Sequence, residues 1–159
     1  MEKYKLSATD MEALTGLAKL ELFQSSFYYR CAAVANKLGC LKAEQYFMHE
    51  AQEERSHFEM HMDYIMGKGN DFVVMDIPGS MFNAEDLYGI TEKAKETEGE
   101  VTVAYEKAMN DVSNETKNHL LKFMTIQTEA FKFYTDACAA LDGMTKSEQK
   151  LHEKQVYKL

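Results

Sequence analysis

Apolar residues recur every three to four positions along most of this chain, which is the spacing of amphipathic α-helices. The pattern predicts helices over about residues 7–37, 41–67 and 83–112 and, after a break at 113–116, a fourth helix that continues to 141. Ser7 is suited to cap the first helix, and Gly39 follows its end. In the polar tail, Thr145 and Glu148 have capping-box spacing and predict a short helix over about 145–157. We therefore predict an all-α protein.

The connections between the predicted helices indicate how the helices are arranged. Short links after the first and third helices predict two antiparallel hairpins. The second and third helices are separated by an irregular stretch of about 15 residues, 68–82, which contains the only proline, Pro78. A connection of this length can cross the full height of a bundle. We therefore expect two hairpins joined by a long crossover, in one domain over residues 1–159 with its bundle at about 7–142.

Each predicted helix carries one polar residue at the centre of its apolar face. With a turn of about 100° per residue, these central residues can be read directly from the sequence. They are Glu21 on the first helix, Glu54 with His57 on its flank on the second, Glu98 on the third and Gln127 on the fourth. The apolar residues beside Gln127 on the fourth helix are Leu120, Phe123, Phe131, Tyr134, Cys138 and Leu141. All four central residues lie near the midpoints of their helices, so we expect one polar cluster halfway along the core.

An ionised carboxylate on a buried face costs several kcal/mol unless a partner compensates it. Three converging carboxylates repel one another, and the only basic residue near these positions is Lys95, about 60° around the helix from Glu98. A single glutamate on an apolar face, or a lone Glu-x-x-His pair, is more often solvated than ligating. Four such residues at one depth favour a bound cation instead.

Oxygen ligands with one imidazole favour iron or manganese over zinc. We expect Glu21, Glu54 and His57 to bind a first ion. A second would take Glu98, share Glu54 as a bridge and use Gln127 as a weak neutral ligand. Ions bridged in this way lie roughly 3.5–4 Å apart, which suits the two-electron reduction of O2.

Further polar residues lie near these faces. His61 and Glu50 project about one turn from the centre of the second helix and are expected to support the ligands or to lie towards the bundle end. Tyr28 and Tyr105 flank the cluster, as core residues with hydrogen-bonded hydroxyls, and Tyr28 is also a candidate for a redox role.

Net charge and cysteine content exclude some classes of function. A net charge of −8 argues against nucleic-acid binding and is compatible with collecting cations. The three cysteines lack CxxC spacing and indicate reduced thiols rather than disulfides or a zinc site; they are Cys31, Cys40 and Cys138. No apolar leader follows the N-terminus, and no run approaches the roughly 18 apolar residues of a membrane span. We therefore expect a cytoplasmic protein that does not bind membranes.

At these residues the chain resembles the non-haem bacterial ferritins, over nearly its whole length to about Leu141. Two segments carry the likeness: residues 20–23 followed by Tyr28, and residues 51–57, which end in Glu-Glu-Arg-Ser-His. The resemblance implies a ferritin-like four-helix bundle that takes two Fe(II) ions per subunit, oxidises them with O2 or H2O2 and stores ferric mineral in a 24-subunit cage. Residues that match the family's first iron site are Glu21, Glu54 and His57; Glu98 matches the second site, and Gln127 the glutamine near it.

The chain departs from the family pattern in its third iron site and its tail, and it differs at one position from the related bacterioferritins, which bind haem. The family's third iron site would keep Glu53 and Glu129, but Ile126 replaces one of its ligands. The position of the haem-binding methionine of bacterioferritins is Arg55, which implies that no haem is bound. The tail is more polar than the fifth helix that lines the four-fold axis of the cage.

Three functions remain open from the sequence. The first is a ferroxidase that also stores iron. The second is a di-metal oxidase or peroxide scavenger that stores nothing, and the third is a metal-binding scaffold without turnover. Assembly into a closed shell separates the first from the second, and iron oxidation under air separates both from the third.

Overall fold

A computed structural model describes residues 5–158 and contains five α-helices in that range. They are α1 (Ala8–Lys37), α2 (Leu41–Gly67), α3 (Leu87–Asp111), α4 (Asn114–Leu141) and α5 (Lys146–Val156). The N-terminal residues inspected for a leader, 1–4, and residue 159 of the predicted domain lie outside the described residues. The all-α prediction is confirmed, with no strand between residues 5 and 158. Within that range, no helix is long and apolar enough to cross a membrane.

The first hairpin has the predicted boundaries. The Ser7 side chain accepts a hydrogen bond from the Asp10 N–H at 3.1 Å and caps α1. After α1, Gly39 adopts a left-handed φ of 74°, which residues with a Cβ adopt only at a cost. This turn brings α2 back antiparallel to α1.

The third helix begins at Leu87, four residues later than the predicted start at Asn83. Asp86 is its N-cap, and its Oδ1 accepts from the Gly89 N–H at 2.8 Å. Asn83 instead accepts a hydrogen bond from the Arg30 guanidinium at 2.6 Å. Residues 83–86 therefore belong to the crossover, because local capping at Asp86 sets the start of the helix.

The turn between α3 and α4 is shorter than the predicted break at 113–116, since only Val112 and Ser113 lie outside the helices. The buried Asp10 carboxylate accepts from the Ser113 N–H at 2.9 Å, from its hydroxyl at 2.6 Å and from the Thr116 hydroxyl at 2.8 Å. Burial raises the pKa of Asp10, but these hydrogen bonds outweigh burial and leave the pKa below its ordinary value. Asp10 thereby ties the α3–α4 turn to the start of α1.

Contacts at both ends of α1 establish the topology. Asp10 meets Ser113 at the end of α3, whereas the Arg30 Nε donates to the Phe82 carbonyl just before α3, at 2.8 Å. Helix α1 is therefore antiparallel to α3, and α2 and α3 point the same way. Two hairpins joined by a long crossover, here residues 68–86, are confirmed.

A polar layer divides the core into two apolar clusters. One cluster includes Phe27, Tyr28, Phe47, Leu87 and Tyr134, and the other includes Leu14, Leu17, Ile65, Tyr105 and Phe123. The residues between them are Glu21, Gln24, Glu54, Glu98 and Gln127, each at most 4% exposed. The predicted polar cluster halfway along the bundle is therefore present.

Phe131 does not belong to the buried face of α4 on which it was predicted. Its side chain is 37% exposed, whereas the other apolar residues predicted for that face are buried. The ring lies over Gly99, where a Cβ would stand 3.2 Å from the Phe131 Cε2. Phe131 therefore packs against the bare backbone of α3 on the outside of the hairpin.

The predicted tail helix forms and docks on its own bundle. Thr145 caps α5 by accepting from the Glu148 N–H at 3.2 Å. Glu153 accepts from the Ala43 N–H at 3.1 Å, at the start of α2, where the N-cap Cys40 makes no side-chain cap bond. Tyr157 is fully buried. A polar residue of α5, Glu153, thus helps to close one end of the bundle.

Candidate metal centre

Glu21, Glu54 and His57 form a buried cluster between α1 and α2. The donor atoms of all three lie within 4.8 Å of one another. The His57 Nδ1 is 3.5 Å from the Glu21 Oε2 and 3.4 Å from the Glu54 Oε2. Because Glu54 and His57 are three residues apart, one face of α2 presents both, while Glu21 enters from α1. The structure thus brings these three predicted ligands together.

The two carboxylates share charge unequally. Burial and the charge of Glu21 raise the pKa of Glu54 well above its ordinary value. Burial also acts to raise the pKa of Glu21, but the neighbouring Glu54 carboxyl, the His57 imidazole and the hydrogen bond from Tyr105 outweigh burial and lower that pKa to about 2. Burial acts to lower the pKa of His57, and Glu21 raises it to a net value above the ordinary one. A cation bound here would favour the deprotonated carboxylate of Glu54 and the neutral imidazole of His57, because these are the forms that bind metals.

The chemistry of this cluster fits a divalent cation. The Glu21 Oε2 is buried without a hydrogen-bond partner. Over residues 5–158, no lysine or arginine is buried that would neutralise the carboxylates. Two carboxylates and one imidazole form the kind of mixed donor set that first-row divalent metals accept.

Glu98 faces the cluster from α3, and other side chains already satisfy its carboxylate. The Tyr28 hydroxyl and the Gln24 amide both donate to its Oε1, the latter at 3.1 Å. Gln127 donates to its Oε2. Burial raises the pKa of Glu98 to about 7, while these three donors act in the opposite direction. Tyr28, predicted beside the cluster, is therefore in contact with the second predicted metal position.

Gln127 lies at the predicted depth, with its amide nitrogen turned towards Glu98. The nitrogen lies 3.1 Å from the Glu98 backbone oxygen and also bonds to the carboxylate. In this orientation Gln127 positions Glu98. Its role as a neutral metal ligand stays a prediction.

The sequence analysis missed Gln24. It is fully buried, donates to Glu98, and its own Oε1 has no hydrogen-bond partner. Gln24 follows Glu21 by three residues on α1, so the same helical spacing that linked Glu54 with His57 points to it.

Tyr105 and His61 also contact the cluster. As predicted, the hydroxyl of Tyr105 is hydrogen-bonded in the core: it donates to the Glu21 Oε1 at 2.5 Å. His61 is fully buried, and its Nε2 lies 2.7 Å from that hydroxyl. Glu50 lies one turn before Glu54 on α2, where burial and the charge of Glu98 raise its pKa to about 7. His61 therefore supports the predicted ligand Glu21 through Tyr105.

The residues predicted for a third iron site lie on the surface. Glu53 is exposed and pairs with His49 at 3.7 Å, and Glu129 is exposed on α4 one turn after Ile126. Arg55 is likewise exposed and pairs with Glu59 at 3.6 Å. The third site and the absence of haem stay predictions.

Comparison with known protein families gives a match that covers most of the chain. A family profile described as "Ferritin: Ferritin-like domain" matches residues 11–144. No curated protein matches the chain by sequence.

Solved structures resemble the chain over nearly its whole length. A "Humanized Archaeal ferritin" superposes with a TM-score of 0.89 at 20% identity and covers 98% of this chain and 99% of that one. An open-pore ferritin from the hyperthermophilic archaeon Archaeoglobus fulgidus has a TM-score of 0.88 at 19% identity, with 96% and 97% covered. An engineered closed form of the Archaeoglobus fulgidus ferritin has 17% identity, a TM-score of 0.88 and 98% coverage of both chains. At these identities the likeness establishes the fold.

Proposed function

The chain belongs to the ferritin-like domain family, and from this premise we propose that it is a ferroxidase that stores iron. Two Fe(II) ions enter the bundle core, O2 or H2O2 oxidises them, and the ferric product collects as mineral inside a cage of identical subunits. We also propose that the chain belongs to the bacterial branch of the family and that residues 1–159 form a single domain.

The observation that carries the proposal is the buried cluster of Glu21, Glu54 and His57, beside which no lysine or arginine is buried over residues 5–158. A pair of glutamates buried without a lysine or arginine is unfavourable in the free protein, because burial penalises their charge. A divalent cation reverses that penalty and gains three donor atoms that already lie within 4.8 Å of one another. Iron is the substrate that both this donor set and the family favour.

Glu98 would hold the second ion with Glu54 as the shared ligand. Its neighbour Tyr28 would act as an auxiliary electron donor, since the phenol hydroxyl donates directly to the Glu98 carboxylate. When Tyr28 gives up an electron to O2 or H2O2 reduced at the site, its proton can pass to Glu98. Gln24 and Gln127 would keep the Glu98 carboxylate in place.

Storage requires a closed shell, and we propose a cytoplasmic cage, with 24 subunits as in the family. A ferritin-like oxidase that stores nothing is the alternative.

One experiment separates these functions. The pure protein is loaded anaerobically with Fe(II) and exposed to air, near-ultraviolet absorbance is followed, and the product is sized by chromatography. Oxidation with iron retained in a large particle supports a storing ferroxidase. Oxidation by a small oligomer that retains no iron supports the oxidase, and oxidation no faster than in buffer supports a scaffold.

A further inference from the structure

A series of four hydrogen-bonded side chains connects the candidate metal centre with the surface of α4. The Tyr105 hydroxyl donates to the Glu21 Oε1 at 2.5 Å. The His61 Nε2 lies 2.7 Å from that hydroxyl, and the His61 Nδ1 lies 3.0 Å from the Nε2 of His119. Each residue comes from a different helix, in the order α1, α3, α2 and α4. We call these residues the Glu21–His119 series.

The protons of this series point in one direction. Burial lowers the pKa of His61 to about 3 and that of His119 to about 4, so both imidazoles are neutral and each has one N–H. Tyr105 gives its only proton to Glu21, and its oxygen must therefore accept from the N–H at the His61 Nε2. The His61 Nδ1 then accepts from the His119 Nε2–H. Every donor in the series thus faces towards Glu21.

Aromatic packing keeps these rings in place, and the two inner rings are shielded from water. Tyr105 and His61 are fully buried. The Phe123 ring centroid lies 4.3 Å from that of His61 and 5.2 Å from that of His119. Tyr64 stacks on His119 at 4.0 Å. With water excluded from Tyr105 and His61, the inner part of the series has fixed partners.

The two carboxylate oxygens of Glu21 therefore have different surroundings. Tyr105 occupies the Oε1, whereas the buried Oε2 has no hydrogen-bond donor and lies 3.5 Å from the His57 Nδ1. Rotation of the carboxylate to present both oxygens to an ion would break the Tyr105 bond inside the core, where a lost hydrogen bond is costly.

We propose that Tyr105, held by His61 and His119, is a positioning residue that restricts Glu21 to one metal-binding oxygen. This restriction favours small divalent cations, because larger oxygen-seeking cations such as Ca²⁺ need six to eight oxygen ligands and gain one when a carboxylate binds through both of its oxygens. The inference rests on the metal site of the proposed function and adds a determinant of its specificity.

Zn²⁺ is the probe, since it needs no oxidation to be measured. Calorimetry on the full-length protein gives its affinity, with Ca²⁺ as competitor, and crystals soaked in Zn²⁺ show which Glu21 oxygens bind. Wild type is expected to bind Zn²⁺ through the Oε2 alone. Tyr105→Phe is expected to bind it through both oxygens, about 10-fold or more weakly, with a lower ratio of Zn²⁺ to Ca²⁺ affinity.

Tyr134→Phe is the matched control, because Tyr134 is a buried tyrosine whose hydroxyl has no partner. Its Zn²⁺ affinity and Glu21 geometry should equal those of wild type. His61→Leu should weaken Zn²⁺ binding, and His61→Gln, which keeps an N–H for Tyr105, should restore part of it. If His61 acted only by filling space, the Leu and Gln variants would weaken Zn²⁺ binding equally.

The outcomes separate this inference from the proposed function. If wild type binds Zn²⁺ at Glu21, Glu54 and His57 and Tyr105→Phe binds it with the same affinity through one oxygen, the positioning role is wrong and the metal site stands. Equal weakening in both His61 variants would also overturn it. If wild type binds no Zn²⁺ at these residues, the proposed site itself is wrong and the inference falls with it.

Discussion

Gln127 donates its side-chain amide to Glu98 twice, to the backbone oxygen at 3.1 Å and to the carboxylate. Gln24 and Tyr28 add two further donors to the same carboxylate. Three neutral side chains therefore donate hydrogen bonds to Glu98 before any ion binds, and they partly offset the burial that raises its pKa to about 7. The Glu21 Oε2 has no such donor. The two halves of the candidate centre are thus unequal in the free protein.

This inequality predicts the order in which ions bind. The position at Glu21, Glu54 and His57 should fill first, because it offers two carboxylates and an imidazole, and hard divalent cations follow ligand charge. An ion at Glu98 must replace hydrogen bonds that already exist. Crystals soaked briefly in Fe(II) without oxygen, or in Zn²⁺, should show the first position occupied at the earliest times.

A variant tests the cause of the order. Gln24→Ala removes one donor from Glu98 and should narrow the difference in occupancy between the two positions. Equal occupancy at the earliest times in wild type, or stronger density beside Glu98, would contradict the unequal roles.

Glu54 is the most sensitive position for iron oxidation, because it is the ligand proposed to bridge both ions. Glu54→Ala should slow Fe(II) oxidation by at least about 100-fold, the upper range for disturbing even an outer-shell partner of a metal site. The bundle should remain folded, since the change also removes a carboxylate that repels Glu21. Stopped-flow absorbance gives the rate, and circular dichroism checks the fold.

Glu59→Ala is the control for that substitution. Glu59 lies on the exposed face of the same helix and pairs with Arg55 at 3.6 Å. Its oxidation rate should match wild type. A wild-type rate in Glu54→Ala would mean that the two-ion site lies elsewhere.

The positions of the acidic residues were predictable because the backbone geometry of a helix fixes them. A residue at the centre of an apolar face must enter the core, whatever its chemistry. Glu21, Glu54, Glu98 and Gln127 accordingly meet in one layer, each at most 4% exposed. The topology was also predictable, because the lengths of the connections limit which helix ends can meet.

The hydrogen-bond partners were not predictable from the same pattern. Periodicity assigns a residue to a face, but it does not decide which atoms across the core pair with one another. The bonds from Gln24 to Glu98 and from Tyr105 to Glu21 join residues 74 and 84 positions apart, so they depend on helix register and side-chain rotamers. Phe131 shows the same limit, because the bare backbone at Gly99 offered it a site outside the core.

Ile126 provides a test of the third iron site. It is 39% exposed on α4, so a polar replacement there should change stability by only about 0.5 kcal/mol or less. Ile126→Glu should supply the ligand that the family pattern has and this chain lacks, to act with Glu53 and Glu129, and should add one bound Zn²⁺ per chain. Metal analysis of protein equilibrated with Zn²⁺ gives the count.

Ile126→Gln is the matched control, with similar size and no charge, and should bind as many ions as wild type. If Ile126→Glu binds no more Zn²⁺ than Ile126→Gln, Glu53 and Glu129 do not form a site with position 126.

Asp10 makes the free energy of unfolding depend on pH. Its pKa is lowered in the folded protein because Ser113 and Thr116 donate to its carboxylate more strongly than burial penalises it. The stabilisation is therefore complete above the ordinary pKa of 3.8 and is lost as the pH falls through the lower folded value. Asp10→Asn should cost about 1–3 kcal/mol at about pH 7 and much less at about pH 3. Denaturant unfolding at both pH values, beside the exposed Asp63→Asn, measures this; an equal cost at both would show that the charge of Asp10 contributes nothing.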